Sequence, residues 1–179
     1  GFFPYSHAVN VCGLSIGLAR KLERNEHFIR KLALGALLHD IGKLALPKEV
    51  ALKLGELTKD EYVILRQHPT EGVKMLSQVQ GVPQEVLLAV LQHHEKHNGS
   101  GYPLGYKADK LSHYGRAVSL ANSFDALTSL RPHKYALSPS VAATAILKEA
   151  RGYGDFDPNE AKAFARMIFE MASVSAGSA

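Results

Sequence analysis

The sequence predicts an all-α fold, and three observations carry that expectation. Apolar residues recur at spacings of three and four in one stretch after another. Serine, threonine and aspartate stand ahead of several of these stretches at helix-start positions, twice followed at once by proline. No alternation of apolar and polar residues is long enough for a useful strand. At 179 residues, 46% hydrophobic and 21% charged, the chain can bury a sizeable single core. We expect one domain over residues 1–172, a bundle of about seven helices, and a small-residue, disordered tail over 173–179.

The first helix runs from His7 to about Arg24, with Val11, Leu14, Leu18 and Leu22 on one stripe and basic residues at its far end. A second begins near Glu26, buries Ile29, Leu32, Ala33 and Ala36, and ends in His39, Asp40, Ile41 and Gly42, with Gly42 placed to cap it. Pro47 and Gly55 break residues 43–57 into a loop with room for one short helical turn. Thr58 opens the next helix as a capping box with Glu61, and His68 precedes Pro69, where the helix must kink or restart. Pro83 suits the first position of the following helix, which carries Leu87, Val90, Leu91 and His94 on its inner stripe. Residues 98–110 read as loop. Ser112 caps a helix that places Val118, Ala121, Asn122 and Asp125 on one face. Ser138-Pro139 and Asp157-Pro158 start the last two helices, with Glu160 completing a second capping box and Phe164, Met167 and Ile168 facing the core.

Charge excludes some partners. The formal +4 is spread along the chain, which suits an anionic small molecule and lacks the clustered basic stripe of a DNA binder. The single Cys12 cannot form an internal bridge and no apolar span is long enough for a membrane, so a reducing cytoplasm is expected. The start Gly-Phe-Phe, without methionine, suggests a domain cut from a longer polypeptide.

The chemistry-bearing stretch is V-L-Q-H-H-E-K-H-N-G-S-G-Y-P at residues 90–103, a helix end delivering His93, His94 and His97 into a glycine-rich turn. Adjacent histidines on a helix point roughly 100° apart, so His93 and His94 should serve two neighbouring ions better than one. Further candidates sit at helix ends or on inner stripes: His7, His39, Asp40, His68 and Asn122. Any one of these histidines alone reads as an ordinary hydrogen-bonded residue, as His27, His113 and His133 do. Together they point to a dinuclear centre, with the Asp40 carboxylate bridging two ions.

H-D-I-G-K at residues 39–43, His68-Pro69 and H-H-E-x-x-N-G-S-G-Y-P at 93–103 resemble the HD-GYP family, a branch of the HD phosphohydrolases. The resemblance runs from about His7 through S-F-D-A-L-T-S-L-R-P-H-K at residues 123–134. It implies an HD-domain-like helical bundle with a G-Y-P loop. It also implies two divalent ions, iron or manganese ahead of zinc, nickel or magnesium, and hydrolysis of cyclic di-GMP to linear pGpG or GMP. By the same resemblance the metal ligands are His7, His39, Asp40, His68, His93 and His94, with Asn122 at a further ligand position. Asp40 and Lys43 would act in catalysis, and Tyr102, Arg131 and Lys134 on the substrate. Such domains accompany sensory or receiver domains in the cytoplasm, with a diguanylate cyclase as the opposing partner.

Three positions depart from the family pattern. Asn122 stands where D-x-F-D-A-L has its first aspartate, Asn98 where the loop commonly has aspartate, and Phe3 where members with three metals have glutamate; two ions are therefore expected. An amide offers one neutral oxygen and no bridge, so a catalytically silent module that binds nucleotide or a protein partner is the alternative. Asp125 lies one turn on from Asn122, and a hydrogen-bonding role is expected for it rather than ligation. The bland alternatives are a solvated Lys43, a loop-packing Tyr102, and Arg131 and Lys134 as a basic helix end.

Overall fold

A computed structural model describes residues 4–53, 55–130 and 135–176. Its elements are α1 (Pro4–Lys21), α2 (Glu26–Leu38), a 3-10 turn (Ile41–Ala45), α3 (Lys48–Ala51), α4 (Lys59–Leu65), α5 (His68–Ser77), α6 (Gln84–Gln92), a second 3-10 turn (Ala108–Lys110), α7 (His113–Thr128), α8 (Pro139–Gly152) and α9 (Pro158–Ala176). No strand occurs among the described residues, and none of their helices is long and apolar enough to cross a membrane.

Among the described residues nine helices stand where about seven were expected, for two local reasons. The loop after Asp40 does hold one short turn, α3, and His68-Pro69 restarts the helix outright, so α4 and α5 are separate. The side chain of Asn25 caps α2, Ser112 caps α7 and Ser138 caps α8, and Thr58 and Glu61 close both bonds of their capping box. Asp157 accepts from the backbone N–H of Asn159 and Glu160, but the Glu160 carboxylate turns to His113 Nδ1 instead of completing a second box. Pro83 sits one place outside α6 as its N-cap. The last helix continues to Ala176, past Ser173, whose hydroxyl donates to the Glu170 carbonyl and satisfies part of the final turn.

The main core lies where α1 meets α2, α7 and α9, and α8 packs along α9. Val11, Leu18, Leu32, Val118, Ile146 and Phe164 are wholly or almost wholly buried there. A smaller cluster of Leu76, Val86 and Val90 joins α5 to α6. This core leaves the ends of α2 and α6, the start of α5 and the inner faces of α1 and α7 around one open cavity of about 710 Å³.

Gly42 has a different task from the expected cap. The cap of α2 is His39, while Gly42 lies against the backbone of α5, where a Cβ would come 1.9 Å from the His68 carbonyl and 2.4 Å from the Gly72 nitrogen. Only hydrogen fits there. That close approach brings the His39-Asp40 pair beside His68.

Candidate metal centre

Each ligand candidate is delivered by a chain end or a buried face. His39 and Asp40 follow α2, His68 opens α5, His93 and His94 follow α6, and His7 lies in α1. His7, His39, His68 and His93 are buried and polar, so their ring nitrogens need partners.

The hydrogen bonds decide which nitrogen faces inward. Nδ1 of His39 bonds the Ala36 carbonyl, Nδ1 of His68 that of Leu65, and Nδ1 of His93 that of Val90, each at 2.7 Å. A carbonyl only accepts, so each Nδ1 carries the proton and each neutral ring presents a bare lone pair at Nε2. On His7 the Nδ1–H donates to Asp125 Oδ2 at 2.6 Å, with the same consequence. The bared nitrogens then converge: His7 and His39 Nε2 stand 3.2 Å apart, and His68 and His93 Nε2 3.1 Å apart.

Asp40 lies between the two pairs. Its Oδ1 is 3.3 Å from His68 Nε2 and 3.8 Å from His93 Nε2, while Oδ2 is 3.5 Å from His39 Nε2 and 3.8 Å from His7 Nε2. Oδ1 is buried and accepts no hydrogen bond. Lone pairs facing lone pairs around an unsatisfied carboxylate oxygen call for cations. Two donor groups result, Asp40 with His68, His93 and His94, and Asp40 with His7 and His39. The residues present thus fit divalent metals, with Asp40 common to both groups.

His93 and His94 depart from expectation by falling in one group rather than serving two ions. The helix ends at Gln92, with His93 as its C-cap. The two rings converge to 4.2 Å between centroids.

Burial and neighbouring charge tune the cluster. Desolvation lowers the pKa of His39, takes that of His68 down to about 4, and holds those of His93 and His94 well below the ordinary range. All four are neutral near pH 7, as ligands must be. Burial alone would raise Asp40, but its electrostatic interactions with the His39, His93 and His68 rings and the Lys43 ammonium together hold it well below the usual carboxylate range.

Of the other sequence candidates, Lys43 is not merely solvated, because its Nζ donates to Asp40 Oδ2 at 2.6 Å. Asn122 lines the cavity with His7, Asp40 and His94. Tyr102 also lines it, stacked on His94 at 4.6 Å with 15° between the rings, and burial raises its phenol. Asn98 is an exposed turn residue tied to Tyr153 and Asp155. His27 and His113 are exposed, away from the cluster. Asp125 takes the hydrogen-bonding role, accepting also from Asn10 and Ser129. Phe3, Arg131, His133 and Lys134 lie outside the described residues.

Glu95 is a positioning residue that the sequence did not single out. It is buried, and its carboxylate accepts from the backbone N–H of Leu104, Gly105 and Tyr106 at 2.6, 3.1 and 3.2 Å. With the Tyr102 N–H bonded to the His94 carbonyl, Glu95 holds the G-Y-P loop against the candidate ligands. Set between His94 and Lys96, it looks like an exposed charge in the sequence.

Comparison with known proteins agrees with this geometry. The HD domain family profile matches residues 2–159. The chain is 39% identical over 166 residues to a Pseudomonas aeruginosa protein named cyclic di-GMP phosphodiesterase PA4108, covering 93% of this chain and 39% of that protein. It is 41% identical over 150 residues to the Xanthomonas campestris cyclic di-GMP phosphodiesterase response regulator RpfG, covering 83% of this chain and 38% of that one. The chain therefore spans about two fifths of the length of these relatives. Among solved structures, an HD-G"Y"P protein from Bdellovibrio bacteriovorus superposes with a TM-score of 0.76 at 26% identity, covering 93% of this chain and 52% of that chain. With its H-D pair at the centre of the cluster and its G-Y-P loop against it, the chain belongs to the HD domain family, in the HD-GYP branch.

Proposed function

We propose that the chain is a metal-dependent phosphodiesterase domain that hydrolyses cyclic di-GMP to linear pGpG or GMP. The observation that carries the reading is the Asp40 carboxylate, one oxygen toward each of two histidine pairs, at the wall of a cavity large enough for a nucleotide ligand. The relatives named as cyclic di-GMP phosphodiesterases supply the substrate. Two divalent ions, iron or manganese by the family resemblance, would acidify water and offset phosphate charge when bound.

The chain's own residues do the rest. Asp40 spans both groups, and Asp125 fixes the tautomer and orientation of His7. Lys43 places a cation beside the Asp40 oxygen, at the wall where the phosphate enters. Tyr102 and His94, stacked face to face, would form a flat boundary on one side of the cavity. Arg131 and Lys134 are substrate contacts by resemblance. A sensory or receiver domain would be its partner, and a diguanylate cyclase would supply the opposing activity.

Asn122 favours a second reading, a silent module that has kept the scaffold. A neutral amide at the cavity wall removes one negative charge from the ligand set. The test is turnover of cyclic di-GMP by anaerobically purified, iron- or manganese-loaded protein, with Asp40→Asn and Asn122→Asp alongside. We expect product from the wild type and loss of both turnover and bound metal in Asp40→Asn. Activity in Asn122→Asp alone would sink the enzyme reading of the natural chain in favour of the silent module.

A further inference from the structure

The cavity wall holds four cations among the described residues, and three are already neutralised. Lys43 pairs with Asp40, Lys53 with Glu61 and Lys96 with Asp155, at 2.6 Å in each case. Arg66, the C-cap of α4, lines the same cavity and forms no ion pair with a described carboxylate. Its guanidinium carbon lies 4.5 Å above the Tyr102 ring and 5.8 Å from the Tyr62 ring. A guanidinium held over an aromatic ring without a carboxylate partner has N–H donors to offer, and those donors match two oxygens of one phosphate. The Tyr102 ring in turn stacks on His94, so Arg66 stands one aromatic layer away from a metal ligand.

A substrate with one phosphate at the metals needs a counter-charge for any second phosphate it carries. We propose that Arg66, braced by Tyr102 and Tyr62, binds the phosphodiester of the substrate half that is not being cut. It thereby selects cyclic dinucleotides over substrates with a single phosphate. This rests on the phosphodiesterase reading above and adds a contact that the sequence motifs do not mark: Arg66 is a lone basic residue at a helix end in a stretch of ordinary surface composition. A cationic residue over an aromatic ring, with no ion pair to a carboxylate among the described residues, is placed to take an anion.

The test compares wild type, Arg66→Ala and Arg66→Lys, all manganese-loaded. Kd is measured by titration calorimetry with the slowly hydrolysed phosphorothioate of cyclic di-GMP, and KM and kcat with cyclic di-GMP itself. We expect Arg66→Ala to raise Kd and KM between about tenfold and a hundredfold, with kcat changed far less, and Arg66→Lys to fall between. The salt dependence of Kd should become shallower in Arg66→Ala, which a merely structural role would not produce. Cyclic di-AMP should lose as much affinity as cyclic di-GMP, since the contact is to phosphate. Unchanged Kd in Arg66→Ala, a loss confined to guanine, or loss of bound manganese from the variant would each overturn the assignment while leaving wild-type turnover intact. A wild type that neither binds nor cleaves any cyclic dinucleotide would instead overturn the phosphodiesterase reading, and this inference with it.

Discussion

Asp125 decides which nitrogen of His7 faces the cluster. Its carboxylate accepts from the His7 Nδ1–H at 2.6 Å and is itself held by Asn10 and Ser129. Burial alone would raise its pKa, but those hydrogen bonds hold it below the usual value, so it stays an acceptor at neutral pH. In Asp125→Asn the amide can turn its NH₂ toward His7 and stabilise the wrong tautomer. Metal affinity should fall between about tenfold and a hundredfold with helix content unchanged, read by manganese titration and circular dichroism. Equal affinity in the variant would show that Asp125 only packs. The sequence showed Asp125 on an inner helix face but not its partner, which lies 118 residues away and appears only once α1 and α7 pack. The candidate ligand cluster was legible because histidines and an aspartate at helix ends are chemically distinctive. Glu95 and Arg66 were not, because their roles come from geometry that brings a loop N–H or a ring to an ordinary charged side chain.

At the scale of elements, the site depends on a crossing of two backbones. The 3-10 turn after Asp40 touches the start of α5 at Gly42 and Gly72, and this contact fixes His68 relative to Asp40. In Gly42→Ala the new methyl would meet backbone atoms of His68 and Gly72, which cannot turn away as a side chain can. The two elements must separate. We expect a stability loss at or above the roughly 1–3 kcal/mol of a typical overpacked position, with metal binding weakened in the protein that still folds. Urea unfolding and manganese titration on the same samples check this, and wild-type values for both would remove the crossing as the organiser of the site. Periodicity located the helices because apolar stripes are local. It could not distinguish a capping glycine from a crossing glycine, since both follow the last helical turn.

For the whole molecule, the cluster is a concentration of neutral buried imidazoles that the unfolded chain would protonate. His68 titrates near 4 in the fold, against an ordinary value of 6.5, because burial disfavours its charged form. Between those values the unfolded state binds a proton that the folded state refuses, so stability falls as pH falls through that window. At about 1.4 kcal/mol per unit, His68 alone contributes a loss on the order of 3 kcal/mol from pH 7 to pH 4, and His39, His93 and His94 act in the same direction. Asp40, whose pKa is held low in the fold, adds its loss only further down, as pH drops below the ordinary carboxylate value near 3.8. The prediction concerns chelator-treated protein, in which protons are the only cations competing for the site. Its urea-unfolding free energy should decline steadily from pH 7 to pH 4, while manganese should stabilise the protein strongly at pH 7 and progressively less on acidification. A flat profile across that window without metal would mean that the histidines are already protonated or exposed, and that their Nε2 lone pairs do not face one another as the structure has them.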